Sequence, residues 1–409
     1  MSTTIIPGGY KGIVGGLRTF IGKNPPPKSQ NDLSMDRLPI EILQSMFEFF
    51  VANGGRLEVL YLVSQRWRDA AVGYSRLWRY IHISQDAWVL RSSETSLATR
   101  VRKAVIESEG NNLYVTIDTR TWGDLPERPF DLALQECSGE ESTEMWRWET
   151  LNLDLGDWVP TKYLRYLMPQ LRELTYRTAH IQDLSSCFPY TGALNTLRLN
   201  GDCSTTWPAT IRGSVQDLHI ESNESRTLWH TLQQFTSITS LLLTNMADLK
   251  HVSKNQTICL SRLRELRAAF PDHGFPPFHT FLQLPSLTDL TLYTTNRKSL
   301  LRDHAKEVSA SFEKILPQLE KLTVMHMCCP SADALREILY SATQLKTLVL
   351  SGCGRWEENR DAEGDAMHSY PLLSEKFYYV LEDRLLCPEL LCCVIDGVDR
   401  PDLVTLREW

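Results

Sequence analysis

From Trp148 to Leu350, apolar residues recur in a pattern that reads Lxx-LxL. Nine copies are present, and the middle apolar residues of successive copies lie 21 to 32 residues apart, with all intervals but one between 21 and 26. Repeat proteins that stack similar structural units have periods of about 20–50 residues, so this spacing predicts such a stack. The middle residues are Leu151, Leu174, Leu197, Leu218, Leu241, Leu266, Leu290, Leu322 and Leu348.

Each copy has the alternation of a short strand. The two apolar residues of an LxL triplet point to one side of a strand, and the residue between them points to the other side. Stacked strands share one core, and each unit returns to the next through a helix or loop. We therefore predict an α/β fold over residues 148–409, with parallel strands and a C-terminal cap. The predicted return helices are 163–168, 227–235, 301–316 and 332–341.

Residues 85–147 are expected to link this stack to the N-terminal part of the chain. Residues 87–109 are expected to form a helical linker, and residues 113–117 alternate between apolar and polar side chains as a strand does. Residues 123–145 are polar and predict an excursion over the surface.

The end of the chain departs from the repeat. Residues 354–370 carry five acidic and two basic side chains, which predicts a solvated acidic loop, with a binding loop as the alternative. Residues 374–386 are expected to form a capped helix, and residues 390–395 one more strand.

The N-terminal residues 34–84 have a helical pattern instead. Pro39 is favourable at a first helical position, and six apolar residues then fill one broad helical face. Gly54 and Gly55 interrupt the pattern, and Ser64 is a good N-cap for a third short helix. So small a unit usually needs a partner to cover its apolar surface. The apolar face comprises Ile42, Leu43, Met46, Phe47, Phe49 and Phe50.

This three-helix module resembles an F-box, and the repeats resemble leucine-rich repeats over roughly 200 residues. The F-box elements are Leu38-Pro39-x-Glu41-Ile42-Leu43, Met46-Phe47, Val63-Ser64, Trp67-Arg68, Leu77-Trp78 and Ile81. The resemblance implies docking to a Skp-type adaptor and, through it, to the cullin scaffold of an SCF-type ubiquitin ligase. The alternative is a plain helical bundle that packs on the repeats. The implied adaptor-binding residues are Leu38, Pro39, Glu41, Ile42, Leu43, Phe47, Leu60, Val63, Trp67, Leu77 and Trp78.

Composition is that of an ordinary globular protein. Of 409 residues 42% are hydrophobic and 23% charged, and the net charge of −7 argues against a general nucleic-acid binder. No apolar run reaches the length of a membrane span.

The basic, Gly- and Pro-containing tail over residues 1–33 is expected to be disordered. With no secretory signal, the ten cysteines are expected to be reduced thiols in the cytoplasm or nucleus.

No cofactor, metal site or catalytic residue is predicted. The two sets of possible metal ligands lack the paired spacing of zinc sites. GxSxG, HExxH and strand-linked GxGxxG motifs are also lacking, so we predict that the chain is not an enzyme. The two sets are His326, Cys328 and Cys329, and Cys387 with Cys392.

Outward residues of the predicted strands are the candidates for holding a partner on a concave surface. Arg and Tyr are favoured at interface centres. The alternative is a solvated face on which neighbours such as Glu265 and Arg267 form salt bridges, each contributing about 0–1 kcal/mol. Near the first repeat, Trp146 and Trp148 either line a ligand cage or seal the repeat edge. The candidate residues are Arg177, Arg198, His219, Arg267 and Tyr293.

The leading hypothesis is therefore a non-catalytic substrate-recognition subunit. Such a protein acts by proximity, since it raises the effective concentration of a target near the ubiquitin-transfer machinery. The alternative hypothesis is a leucine-rich-repeat scaffold that binds a partner protein without a link to ubiquitination.

Overall fold

The computed structural model divides the chain into two compact units, Met1–Tyr74 and Ser75–Trp409. We predicted that the helical module extends to residue 84, whereas residues 75–84 lie in the second unit. The reason is a strand, Tyr80–Ser84, that pairs within the second unit's sheet. The residues that the structure describes are 38–84, 94–120, 128–156, 160–178, 184–201, 205–222, 225–244, 257–270, 282–294, 313–325, 332–351, 357–360, 366–369, 380, 383 and 386–396.

Short helices make up the described part of the first unit. Ser64 caps the third of them, because its hydroxyl accepts a hydrogen bond from the Trp67 N–H at 3.2 Å. The rings of Phe47 and Trp67 pack at the centre of the unit, with centroids 4.9 Å apart. The helices are α1 (Ile40–Ala52), α2 (Leu57–Leu60) and α3 (Gln65–Val72). The buried apolar residues are Leu43, Phe47, Val51, Leu60, Trp67, Ala70 and Ala71.

Two glycines form the tight turn between α1 and α2. Gly54 has a φ of 82°, a conformation that glycine adopts without steric cost. A Cβ atom on Gly55 would lie 2.4 Å from the Phe50 ring. Glycine therefore suits the backbone at position 54, and a side chain at position 55 would displace the Phe50 ring.

The second unit is built on an open parallel sheet, which in the described residues has twelve strands. The strands lie in the sheet in the same order as along the chain. The first and the last of them therefore form its two edges. In order, they are β1 (Tyr80–Ser84), β2 (Leu113–Asp118), β3 (Trp148–Leu155), β4 (Glu173–Thr178), β5 (Thr196–Gly201), β6 (Asp217–Glu221), β7 (Ser240–Thr244), β9 (Glu265–Phe270), β11 (Asp289–Thr294), β12 (Lys321–Met325), β13 (Thr347–Ser351) and β16 (Cys392–Asp396).

The predicted parallel strands and their α/β class are confirmed. All nine LxL copies lie on strands, from β3 to β13, and their middle residues are paired in register across the sheet. These residues are buried in one continuous core. The predicted strands at 113–117 and 390–395 correspond to β2 and β16. The sheet begins earlier than predicted, at Tyr80, because β1 and β2 extend it ahead of Trp148.

Helices connect the strands on the buried side. The predicted helix at 332–341 is confirmed with those bounds, and the one predicted at 227–235 spans Ser225–Gln234. The helix predicted at 163–168 is a single turn, and the one predicted at 301–316 lies mostly outside the described residues. In order, the helices are α4 (Glu94–Glu107), α5 (Arg128–Ser138), α6 (Thr161–Leu164), α7 (Ala209–Ser214), α8 (Ser225–Gln234) and α9 (Ala332–Ser341), with 3₁₀ turns at Ser75–Arg79, Glu140–Ser142, Met145–Arg147 and Leu316–Gln318.

Two local predictions were wrong. The described part of the segment predicted as a surface excursion, residues 128–145, is not one, because α5 buries Phe130, Ala133, Leu134 and Cys137 in the core. The acidic segment 354–370 is not wholly a loop, because Glu357–Arg360 (β14) and Ala366–Ser369 (β15) pair as antiparallel strands. A further short pair, β8 (Ile258–Cys259) with β10 (Leu282–Gln283), is parallel.

Several predictions fall outside the described residues. They concern the basic tail over 1–33, nearly all of the helix over 374–386, and the possible metal ligands His326, Cys328 and Cys329.

Candidate interaction surfaces

An apolar stripe runs along the exposed side of α1. Its residues Ile42, Met46 and Phe49 are 48%, 40% and 71% exposed. They follow the i, i+4, i+7 spacing that places side chains on one side of a helix. The stripe is therefore distinct from the face of α1 that packs inward through Leu43 and Phe47.

Further apolar side chains of the first unit reach solvent after α2 and on α3. Leu62 is 82% exposed and Val63 is 44% exposed, in the turn that joins the two helices. Val72 is 54% exposed near the end of α3. Small soluble units rarely expose so many large apolar residues, and such surfaces usually bind a partner.

The predicted adaptor-binding residues separate into three groups. Pro39, Glu41, Ile42 and Val63 are exposed, and Leu38 is partly buried. Four others, Leu43, Phe47, Leu60 and Trp67, are buried in the core of the unit. They hold the helices in place and do not line the exposed apolar surface. Leu77 and Trp78 belong to the second unit, where Leu77 is buried and Trp78 half-buried. The prediction left out Met46, Phe49 and Leu62; the spacing from Ile42 places the first two on its side of the helix, but it does not show that this side is exposed.

The second candidate surface is the side of the sheet opposite the core, here called the open face. Strand pairing places its residues in rows across the sheet, and His219 lies beside Arg198 in one row. Arg267 lies in the same row, separated from His219 by Leu242. Arg177 and Tyr293 lie in the next row, on β4 and β11.

Each candidate arginine on the open face pairs with a carboxylate. Arg177 Nη1 lies 3.3 Å from Asp154 Oδ2, and Arg198 Nε lies 2.6 Å from Glu173 Oε1. Arg267 contacts Glu265 on the same strand, which is the pair named in the salt-bridge interpretation. The three arginines are exposed and their carboxylate partners are partly buried, and pairs with one exposed member at the surface contribute little, about 0–1 kcal/mol each.

His219 and Tyr293 are the half-buried members of this set. Burial lowers the pKa of His219, and the neighbouring Arg198 guanidinium lowers it further. The neutral ring can then accept a hydrogen bond at Nδ1 from Arg198 Nη1, which is 3.0 Å away. Burial raises the pKa of Tyr293, which keeps its hydroxyl protonated as a donor. The open face therefore offers hydrogen bonds and balanced charge to a partner.

The two tryptophans near the first repeat have opposite environments. Trp148 is fully buried in the core, whereas Trp146 is 54% exposed. Trp148 is therefore a core residue on β3, which has β2 and β4 on either side, and the pair neither lines one cage nor seals an edge of the sheet. Among the described residues, no three His, Cys, Asp or Glu side chains are grouped as a metal site requires.

Comparison with protein-family models and with curated proteins finds no match to this chain. None of the helices in the described ranges is long and apolar enough to cross a membrane.

Proposed function

We propose that this chain is the substrate-recognition subunit of an SCF-type ubiquitin ligase, with an F-box at its N-terminus and an irregular leucine-rich-repeat solenoid after it. The helices α1 to α3 dock a Skp-type adaptor, which connects the chain to a cullin scaffold. The open face holds a target protein. The chain itself performs no catalysis and uses no cofactor, and it acts in the cytoplasm or nucleus.

The exposed stripe of Ile42, Met46 and Phe49 is the observation that carries this proposal. It lies on the helix that follows the F-box-like Leu38-Pro39 sequence, and the described core of the unit does not include it. Burial of the stripe against an adaptor contributes roughly 25 cal/mol per Å² of apolar area removed from water.

A binding experiment with purified Skp-type adaptor tests the proposal. The full chain is expected to form a stable 1:1 complex, measured by pull-down and by light scattering after size-exclusion chromatography. The double variant Met46→Asp/Phe49→Asp is expected to lose affinity at least tenfold, because it places two carboxylates in the apolar centre of the interface. Both residues are exposed, so the fold is expected to persist by circular dichroism.

Ile106→Asp is the matched control, because Ile106 is 66% exposed on α4 of the second unit. This variant is expected to bind the adaptor like the wild type. Absence of binding by the folded wild-type chain would overturn the proposal. The repeats would then support the alternative, a protein-binding scaffold without a link to ubiquitination.

A further inference from the structure

Four exposed apolar side chains of the second unit lie just ahead of three consecutive strands. Trp146 precedes β3, Tyr166 and Leu167 precede β4, and Tyr190 precedes β5. They are 54%, 39%, 61% and 55% exposed, in that order. We call this set the edge patch. It lies at the amino ends of the strands and is separate from the open face.

Backbone hydrogen bonds join two of the three segments of the edge patch, those of Leu167 and Tyr190. The Met168 N–H donates to the Tyr190 carbonyl at 3.2 Å, and the Phe188 N–H donates to the Leu164 carbonyl at 2.6 Å. Neighbouring strands are about 4.8 Å apart, so the strands that follow the three segments, β3 to β5, span about 10 Å across the sheet. The segments of Leu167 and Tyr190 therefore lie side by side, and Trp146 precedes the adjacent strand.

Buried neighbours fix the backbone at each position of the patch. Met145 and Arg147, on either side of Trp146, are both buried. The Arg147 guanidinium donates to Ser108 Oγ and to the Asn111 carbonyl, each at 2.6 Å, and contacts Glu144.

The other two segments of the patch are anchored in the same way. Met168, which follows Leu167, is fully buried, and Thr191, which follows Tyr190, is 1% exposed. A surface fixed in this way loses little conformational entropy when it binds.

Exposed cations outnumber exposed carboxylates in the segments of the edge patch, and the exposed Glu140 lies three residues before the first segment. The segments 143–147, 161–172 and 186–194 contain three exposed cations, Lys162, Arg165 and Arg172. Their one carboxylate, Glu144, already contacts the buried Arg147. Arg172 lies 3.7 Å from Glu149 on β3, and Lys162 Nζ lies over the Tyr163 ring.

We propose that the edge patch docks an acidic segment of a partner protein, one that carries aromatic or branched apolar side chains among its carboxylates. The apolar side chains cover Trp146, Leu167 and Tyr190, and the carboxylates face the surrounding cations. A second copy of this chain is a poor occupant, because it would bring the same cations face to face. The proposal does not depend on adaptor binding.

Selection from a library of short random peptides displayed on phage tests this proposal, with the immobilised full chain as bait. Enriched peptides are expected to combine Asp or Glu with Trp, Phe, Leu or Ile. Fluorescence anisotropy then measures the affinity of a synthetic copy of the most enriched peptide. Leu167→Ser/Tyr190→Ser and Arg165→Glu are each expected to lower that affinity roughly tenfold or more. The first variant removes apolar contact and the second reverses charge.

Tyr340→Ser is the control, since Tyr340 is 71% exposed on α9, and it is expected to leave the affinity unchanged. No enrichment, enrichment of basic or uncharged peptides, or binding that survives Leu167→Ser/Tyr190→Ser would overturn the proposal. So would co-sedimentation with phosphatidylserine vesicles that the same variant abolishes, because the patch would then be a membrane contact.

Discussion

His219 on β6 connects the charges of the open face. Its ring lies next to Arg198, and Arg198 also pairs with Glu173 two strands away from His219. Because Arg198 is a permanent donor, the hydrogen bond between the two side chains exists only while the His219 ring is neutral. Protonation of the His219 ring therefore changes how His219, Arg198 and Glu173 are arranged.

The pH dependence of this group follows from the lowered pKa of His219. An ordinary histidine has a pKa of about 6.5. As the pH falls through this value, His219 becomes protonated in the unfolded chain, whereas in the folded chain it stays neutral to a lower pH. The contribution of His219 to stability is therefore present above about pH 6.5 and is lost as the pH falls through the folded-state pKa.

We expect Arg198→Gln to raise the pKa of His219, because it removes a neighbouring cation and frees the Glu173 carboxylate. Nuclear magnetic resonance titration of the histidine ring protons measures this change, with His219→Asn to assign the signal. Lys346→Gln, on a residue that pairs with Glu320, is expected to leave the titration as in the wild type. An unchanged pKa in Arg198→Gln would contradict the role given to this arginine.

At the scale of a single element, β7 carries three leucines in a row, and alternation decides their roles. Leu241 and Leu243 are fully buried, whereas Leu242 is half-buried on the open face. Three identical side chains on one strand thus have two different environments.

We expect Leu241→Ala to destabilise the second unit by about 2–5 kcal/mol, because it leaves a cavity in a close-packed core. Leu242→Ala, one position along, is expected to cost less than about 1.5 kcal/mol, since it removes contacts on a surface that stays partly in water. Urea unfolding followed by circular dichroism compares the two variants. Equal losses would mean that the side of the strand is assigned incorrectly.

The same alternation explains which elements the sequence predicted. Nine strands were predicted correctly because each LxL triplet signals its inward side within a few residues. Helix α5 was missed, although Phe130, Ala133, Leu134 and Cys137 follow helical spacing, because small alanine and cysteine side chains weaken the apolar signal. Strand β1 was missed as a sheet member because its residues, Ile81 among them, were assigned to the helical module.

The candidate surfaces were predicted only where the pattern within one element was sufficient. Alternation placed Arg198 and His219 on the open face, since that property is local to each strand. The division of α1 into a packed side with Phe47 and an exposed side with Phe49 was not predicted. It depends on contact with Trp67, which the spacing within α1 does not encode.

For the second unit as a whole, stability is shared between neighbours. Within the described residues, most strands of the sheet have a partner on both sides, whereas β1 and β16 each have one. A stack of this kind opens from its ends, because interior units have two stabilising interfaces and terminal units have one.

We therefore expect backbone amides to exchange with solvent deuterium most slowly in β5, β6 and β7 and fastest in β1 and β16. Mass spectrometry of peptic fragments of the full chain measures these rates. Exchange at one uniform rate across all the described strands would contradict this view and would indicate a unit that unfolds in a single step.

The agreement between chain order and sheet order also has a consequence for how this chain can evolve. Leu290 and Leu322 pair in register across an interval of 32 residues, whereas 21 residues separate Leu197 from Leu218. Insertions between strands thus lengthen the connection without changing the register of the paired strands. Duplication of one repeat in the gene would instead lengthen the open face by about 4.8 Å and move every later outward residue one strand further from the earlier ones. Copy number therefore offers this protein a second route to new partners, beside point substitution.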